Sequence, residues 1–131
     1  MSAKQRKQNK PLFADFESTK SNGRFVKIAW DMLQSKAWSE LTLSQRGLYF
    51  EIKAEYLPEK SVKGVILPAN DKNIMFPSSK WKPLYKGNQR KWQEDRKALI
   101  EKGFIRLVES GRTTRTPNIY ELSDDWKSYK K

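Results

Sequence analysis

Asn88 and Gly103 bracket a stretch that leaves the backbone little choice. Asn88 suits a helix N-cap, where its side-chain oxygen accepts from a backbone N–H of the first turn. Gly103 suits the position just past a helix end, where the backbone turns left-handed. No glycine or proline lies between them, and the spacing predicts a helix over 88–102. At about 100° per residue, Trp92, Arg96 and Leu99 share one side with Ile100 at its edge. Arg90, Glu94, Lys97 and Glu101 lie opposite, and Lys91 falls on the flank. Trp92 and Leu99 are expected to face a core.

The neighbours of this helix extend the pattern. Asn73–Phe76 reads as a short β run, and Pro77-Ser78-Ser79 opens a short helix carrying Trp81, Leu84 and Tyr85. Pro83 confines that helix to a turn or two, because it lacks a backbone donor. Lys86-Gly87-Asn88 is a tight turn. Beyond Gly103, Phe104–Glu109 and Asn118–Leu122 read as strands pairing antiparallel in a hairpin, joined by the polar loop 110–117. The final SDDWKSYKK reads as a short amphipathic turn that docks Trp126.

In the first half, Thr42 and Gln45 fit a capping box. It opens a helix over 43–57, with Leu48, Tyr49, Ile52 and Tyr56 at helical spacing and Pro58 at its end. Before it, Trp30, Leu33, Ala37 and Trp38 fit one face of a helix over 29–38, and Phe25–Ile28 reads as a β run. Residues 58–72 form a loop or ribbon with Gly64–Leu67 as one strand. Residues 1–24 are polar and read as a disordered basic arm, in which Leu12, Phe13 and Phe16 are free to dock locally.

The order strand, short helix, turn, longer helix, strand, loop, strand is that of a winged helix-turn-helix, with helix 43–57 completing a three-helix core. The first half echoes it, each short first helix carrying a Trp (Trp38, Trp81). The expected fold class is therefore α+β, mostly helical. It consists of two small winged-helix units, 25–72 and 73–131, packed as an internal dimer behind the arm 1–24.

Charge sharpens the expectation. The chain holds 27 Lys+Arg against 15 Asp+Glu, for a net charge of +12. Residues 80–115 contain eleven of the cations and four acids, and residues 1–24 contain six and two. The remainder is nearly balanced, so the excess sits in one segment and one tail, as expected of a partner that is a polyanion. With no Cys and no His, disulfides, zinc fingers, thiol nucleophiles and His-based triads are excluded. The adjacent acids Glu94-Asp95 point different ways on a helix, and Asp124-Asp125 suits a cap, so catalysis, a metal site and a cofactor are not expected. Apolar runs are too short to span a membrane, and a cytoplasmic protein is the expectation.

A helix entering a major groove needs cations for phosphates and amide or Arg side chains for base edges. Asn88, Gln89, Arg90, Lys91 and Gln93 supply them in the N-terminal half, which usually enters the groove. Lys97, Lys86 and Lys80 extend the basic surface, and Arg46 is the cation of the first unit's corresponding helix. In the loop GRTTRTP, Arg112, Thr113, Thr114 and Arg115 suit a wing reaching a minor groove or the backbone.

The segments FVKIAWDMLQSKAWSELTLSQRGLYFEI, LIEKGFIRLVES and TPNIYELSDDWKSY resemble small winged-helix proteins of Gram-positive mobile elements. They are most similar to the TraN-type accessory proteins of conjugative plasmids. The resemblance covers residues 25–129 in layout and is most specific at LIEKGFI and PNIYELSDDW. It implies a monomer with an internal pseudo-dimer that binds double-stranded DNA near a transfer origin. The role implied is relaxosome accessory factor or regulator of transfer genes, with a relaxase or other transfer proteins as further partners. Replication-initiator relatives of plasmids or phages share the layout. A binder of RNA or single strands remains the alternative from a different class, since five Trp and five Tyr provide rings for stacking.

Overall fold

In the computed structural model, which describes residues 16–17, 25–109 and 118–130, the chain is α+β with small antiparallel sheets. The first half holds two single-turn helices, α1 (Trp30–Leu33) and α2 (Lys36–Ser39), then α3 (Leu43–Lys53) and a ribbon of β1 (Lys60–Val62) and β2 (Val65–Leu67). The second half runs β3 (Ile74–Met75), α4 (Ser78–Tyr85), α5 (Gln89–Glu101), β4 (Ile105–Glu109) and β5 (Ile119–Leu122). A 3-10 turn, Asp125–Ser128, follows.

The expected helix over 29–38 is broken. Ser35 Oγ donates to the Met32 carbonyl at 2.7 Å, which ends α1, and accepts from the Trp38 N–H at 3.1 Å, which starts α2. A serine that serves both helix ends holds the chain out of a continuous helix. Trp30 consequently leaves the apolar face assigned to it and is 74% exposed, while Ala37 and Trp38 are buried. Phe25–Ile28 is not a strand: three of its four residues are exposed, and β3, β4 and β5 complete their sheet without it.

Helix α3 begins at the expected box, with Gln45 N–H donating to Thr42 Oγ1 at 3.2 Å and Thr42 N–H to Gln45 Oε1 at 2.9 Å. It stops four residues short of the expected end. Asn70 accounts for the stop: its amide donates to the Glu55 carbonyl at 3.0 Å and its oxygen accepts from Leu57 N–H at 2.7 Å. The Asn70 N–H in turn donates to the Leu57 carbonyl at 3.1 Å. Between the clasped ends the ribbon turns at Lys63 and Gly64, both with positive φ, as a two-residue hairpin of this twist requires. Its register pairs Lys60 with Leu67 and Val62 with Val65, and every residue of β1 and β2 is exposed.

The larger sheet has the order β3-β5-β4, all antiparallel. Tyr120 of β5 lies between Ile74 and Leu107, and the β4–β5 ladder is irregular between Leu107 and Glu109. Helix α3 packs on α5, and α5 on α4 and β4. The buried apolar residues form one cluster that draws on both halves, from Trp38, Leu48 and Ile52 to Trp92, Phe104 and Tyr120. Within it Trp81 and Trp92 stack 5.3 Å apart with their planes 5° from parallel, and Phe76 stacks on Trp92 from 5.6 Å. Aromatic contacts of this kind contribute about 0.5–1.5 kcal/mol beyond area burial.

The chain beyond β5 closes the bottom of this core. Trp126 is buried, stacks on Phe104 and donates its backbone N–H to the Gly103 carbonyl at 3.0 Å. Among the described residues no helix is long and apolar enough to cross a membrane.

Candidate nucleic-acid interface

Helices α4 and α5 meet at the turn 86–88. Lys86 takes a left-handed backbone that ends α4, and Asn88 caps α5 by accepting the Lys91 N–H at 3.1 Å. The buried stripe of α5 is Trp92, Asp95 and Leu99, with Arg96 half-buried beside it. Arg96 lies over the Trp92 ring at 5.8 Å and donates to the Tyr120 hydroxyl at 3.3 Å.

Asp95 is fully buried and was not singled out by the sequence as an inward-facing group. Its Oδ2 accepts from the Tyr85 hydroxyl at 2.8 Å. Its Oδ1 has no hydrogen bond, but Lys91 Nζ stands 3.1 Å away and compensates the charge. This triad ties the end of α4 to the middle of α5. Burial, and then the bond to Asp95, raise the Tyr85 pKa far above the usual phenol value. The hydroxyl therefore stays protonated and keeps donating.

The sequence-derived site residues divide into three groups. Asn88, Gln89, Arg90, Gln93 and Lys97 are exposed along α5, and Lys86 and Lys80 are exposed beside it. Arg90 Nε lies 3.3 Å from Glu94 and Lys97 Nζ 3.8 Å from Glu101, while Lys80 Nζ lies 3.4 Å from Glu55 of the first half. Two more are engaged in packing. Lys91 points to Asp95, and Arg46 donates to the Trp38 carbonyl at 3.1 Å while lying over the Trp38 ring at 5.7 Å. Arg112, Thr113, Thr114 and Arg115, together with nearly all of the arm 1–24, lie outside the described residues.

Lys82 of α4 belongs with the exposed group and was missed; it stands 6.0 Å over the Trp81 ring. The signal was its place one turn before Lys86, in a helix without acids. On β4, by contrast, Arg106 carries no free charge. It binds Asp125 through two nitrogens at 3.0 and 3.1 Å and Glu121 at 2.7 Å, and the hydrogen bonds from Arg106 hold the Asp125 carboxyl below its usual range.

Comparison with known proteins finds no match. No family model, no curated protein and no solved structure matches the chain. The surface must be interpreted from its own chemistry. Among the described residues no three acidic side chains gather as a cation site. The recess between α3 and α4, lined by Gly47, Leu48, Glu51, Leu84 and Tyr85, is a shallow groove of about 250 Å³. What the α4–α5 surface presents is an exposed row of amide and guanidinium groups on a rigidly seated helix, flanked by lysines.

Proposed function

We propose that the chain is a non-catalytic, sequence-specific double-stranded DNA-binding protein built from two winged-helix units, 25–72 and 73–131, with α5 the recognition helix of the second. The observation that carries the reading is the sheet order β3-β5-β4 beside α3, α4 and α5. In that arrangement the strand before the helix pair joins the hairpin after it. The exposed N-terminal half of α5, with Asn88, Gln89, Arg90 and Gln93, supports base contact in a major groove. The loop with Arg112 and Arg115 would act as the wing and the arm 1–24 as a second phosphate-binding element. From the sequence resemblance alone, the proposal extends to a conjugative plasmid. There the protein would act near a transfer origin as relaxosome accessory factor or transcriptional regulator, and a replication-initiator relative would use the same face.

Fluorescence anisotropy with labelled duplex and single-stranded DNA over a range of salt tests the reading. Duplex binding should weaken steeply with salt, as several counterions are released. Arg112→Ala and Arg115→Ala should weaken it on most sequences. A flat salt response overturns the proposal. Tighter binding to the single strand would favour a different class, for which Trp30, 74% exposed, offers a ring for stacking. Trp30→Ala should then remove most of that binding.

A further inference from the structure

The two helices of the basic segment carry their charge differently. On the exposed face of α5 each cation meets an acid one turn on. Arg90, whose side chain is 91% exposed, pairs with Glu94, 54% exposed, and Lys97 pairs with Glu101. The remaining pair, Lys91–Asp95, turns inward. The outer face of the helix is therefore electrically neutral. Residues 78–86, by contrast, contain Lys80, Lys82 and Lys86 and no acid. Lys80 is paired with Glu55 across to α3, but Lys82 and Lys86 meet no acid among the described residues.

Phosphate attraction needs uncompensated cations, since each neutralised phosphate releases counterions. A neutral face adds little to that term, and its carboxylates oppose it. It has a different capacity: an arginine can donate two hydrogen bonds to guanine O6 and N7, and a glutamate can accept from the amino group of cytosine. Adenine suits a carboxylate poorly, because the N7 acceptor sits beside its amino donor. Arg90 and Glu94 share one face of α5 a single turn apart. An exposed pair of this kind is weak, so both side chains can turn to base edges at little cost.

Resting on the DNA-binding reading above, we propose that Arg90 and Glu94 form a specificity pair that selects G·C base pairs, while Lys82 and Lys86 hold phosphates. Affinity and discrimination then reside on different helices. Glu94 rejects duplexes that fail to offer it the amino group of cytosine, at the expense of general affinity.

Selection from a random duplex library with the full chain and with Glu94→Gln tests the assignment. Titrations on the winning duplex and on a scrambled one over a range of salt complete the test. The unsubstituted protein should enrich a position with cytosine on one strand, and Glu94→Gln should lose that preference. The ratio of winning to scrambled affinity should fall about tenfold, the scale of one base contact. Glu101→Gln makes the same change of charge and should tighten both duplexes alike without altering the winners. Lys82→Ala and Lys86→Ala should weaken both duplexes equally and each lower the salt slope by about 0.9. Identical winners and an unchanged ratio for Glu94→Gln overturn the pair assignment while leaving duplex binding intact. Absence of any duplex binding by the unsubstituted chain overturns the DNA-binding reading itself.

Discussion

Asp95 is the single fully buried acid among the described residues of a strongly basic chain. It lies three residues after Trp92 and four before Leu99, so helical arithmetic puts it on the buried stripe. Residue type argued the other way, because acids are rarely fully buried unless paired. Its partner Tyr85 belongs to another helix and was invisible in local spacing. Removing the carboxylate strands the hydroxyl of the half-buried Tyr85, at a cost within the range of about 1–3 kcal/mol for an unsatisfied donor, while Lys91 can turn to solvent. Asp95→Ala should therefore lower the stability measured by urea unfolding by about 2 kcal/mol. Asp95→Asn should cost less, since its carbonyl can still accept from Tyr85. If Asp95→Ala unfolds at the same urea concentration as the unsubstituted chain, the triad contributes nothing and Lys91 is free for other duties.

At the scale of the element, Gly103 shows how one position joins two segments. Its φ is +86°, and an added Cβ would lie 2.6 Å from the backbone carbon of Asp125 and the nitrogen of Trp126. Neither can move without dislodging Trp126 from Phe104. Gly64 has a similar φ of +79° but open space around it. Gly64→Ala should therefore cost only the left-handed backbone penalty of about 1–2 kcal/mol, and Gly103→Ala about 2–4 kcal/mol once the clash is added. Thermal unfolding of the two variants checks the difference, and equal losses would refute it.

Elements whose limits are encoded locally were legible in the sequence: Thr42 and Gln45 start α3, and Asn88 and Gly103 bound α5. The antiparallel return of β5 onto β4 and the burial of Trp126 were legible too. One misreading is local: Ser35 splits α1 from α2 through bonds to Met32 and Trp38, three residues to either side. The others have tertiary causes: Asn70 reaches back from fifteen residues away to end the helical path at Glu55, and Phe25–Ile28 finds no sheet to join. Of the candidate site, the exposed row along α5 followed from helical spacing alone. That Lys91 and Arg46 are engaged in packing did not, because their partners' burial and the Trp38 carbonyl are set only by the fold.

For the whole molecule, the decisive fact is that one apolar cluster draws on both halves. Helix α3 packs against α5, and Tyr49 meets Phe104 edge-on at 5.5 Å. Burial pushes the Tyr49 hydroxyl pKa up to about 12. At the far end of the chain Tyr129 donates to Glu40 at 2.9 Å. The two halves of the sequence thus share a single interior, and unfolding should be one cooperative transition. Tryptophan fluorescence and far-ultraviolet circular dichroism should give the same midpoint in urea. Two separated midpoints would show that each half holds its own core. The ribbon contributes no residue to this buried cluster: Asn70 fastens its base, and the residues of β1 and β2 are exposed. Residues 58–69 are therefore an exchangeable module, a place where a short turn, a reporter or a foreign loop can be grafted between Leu57 and Asn70 with the core undisturbed.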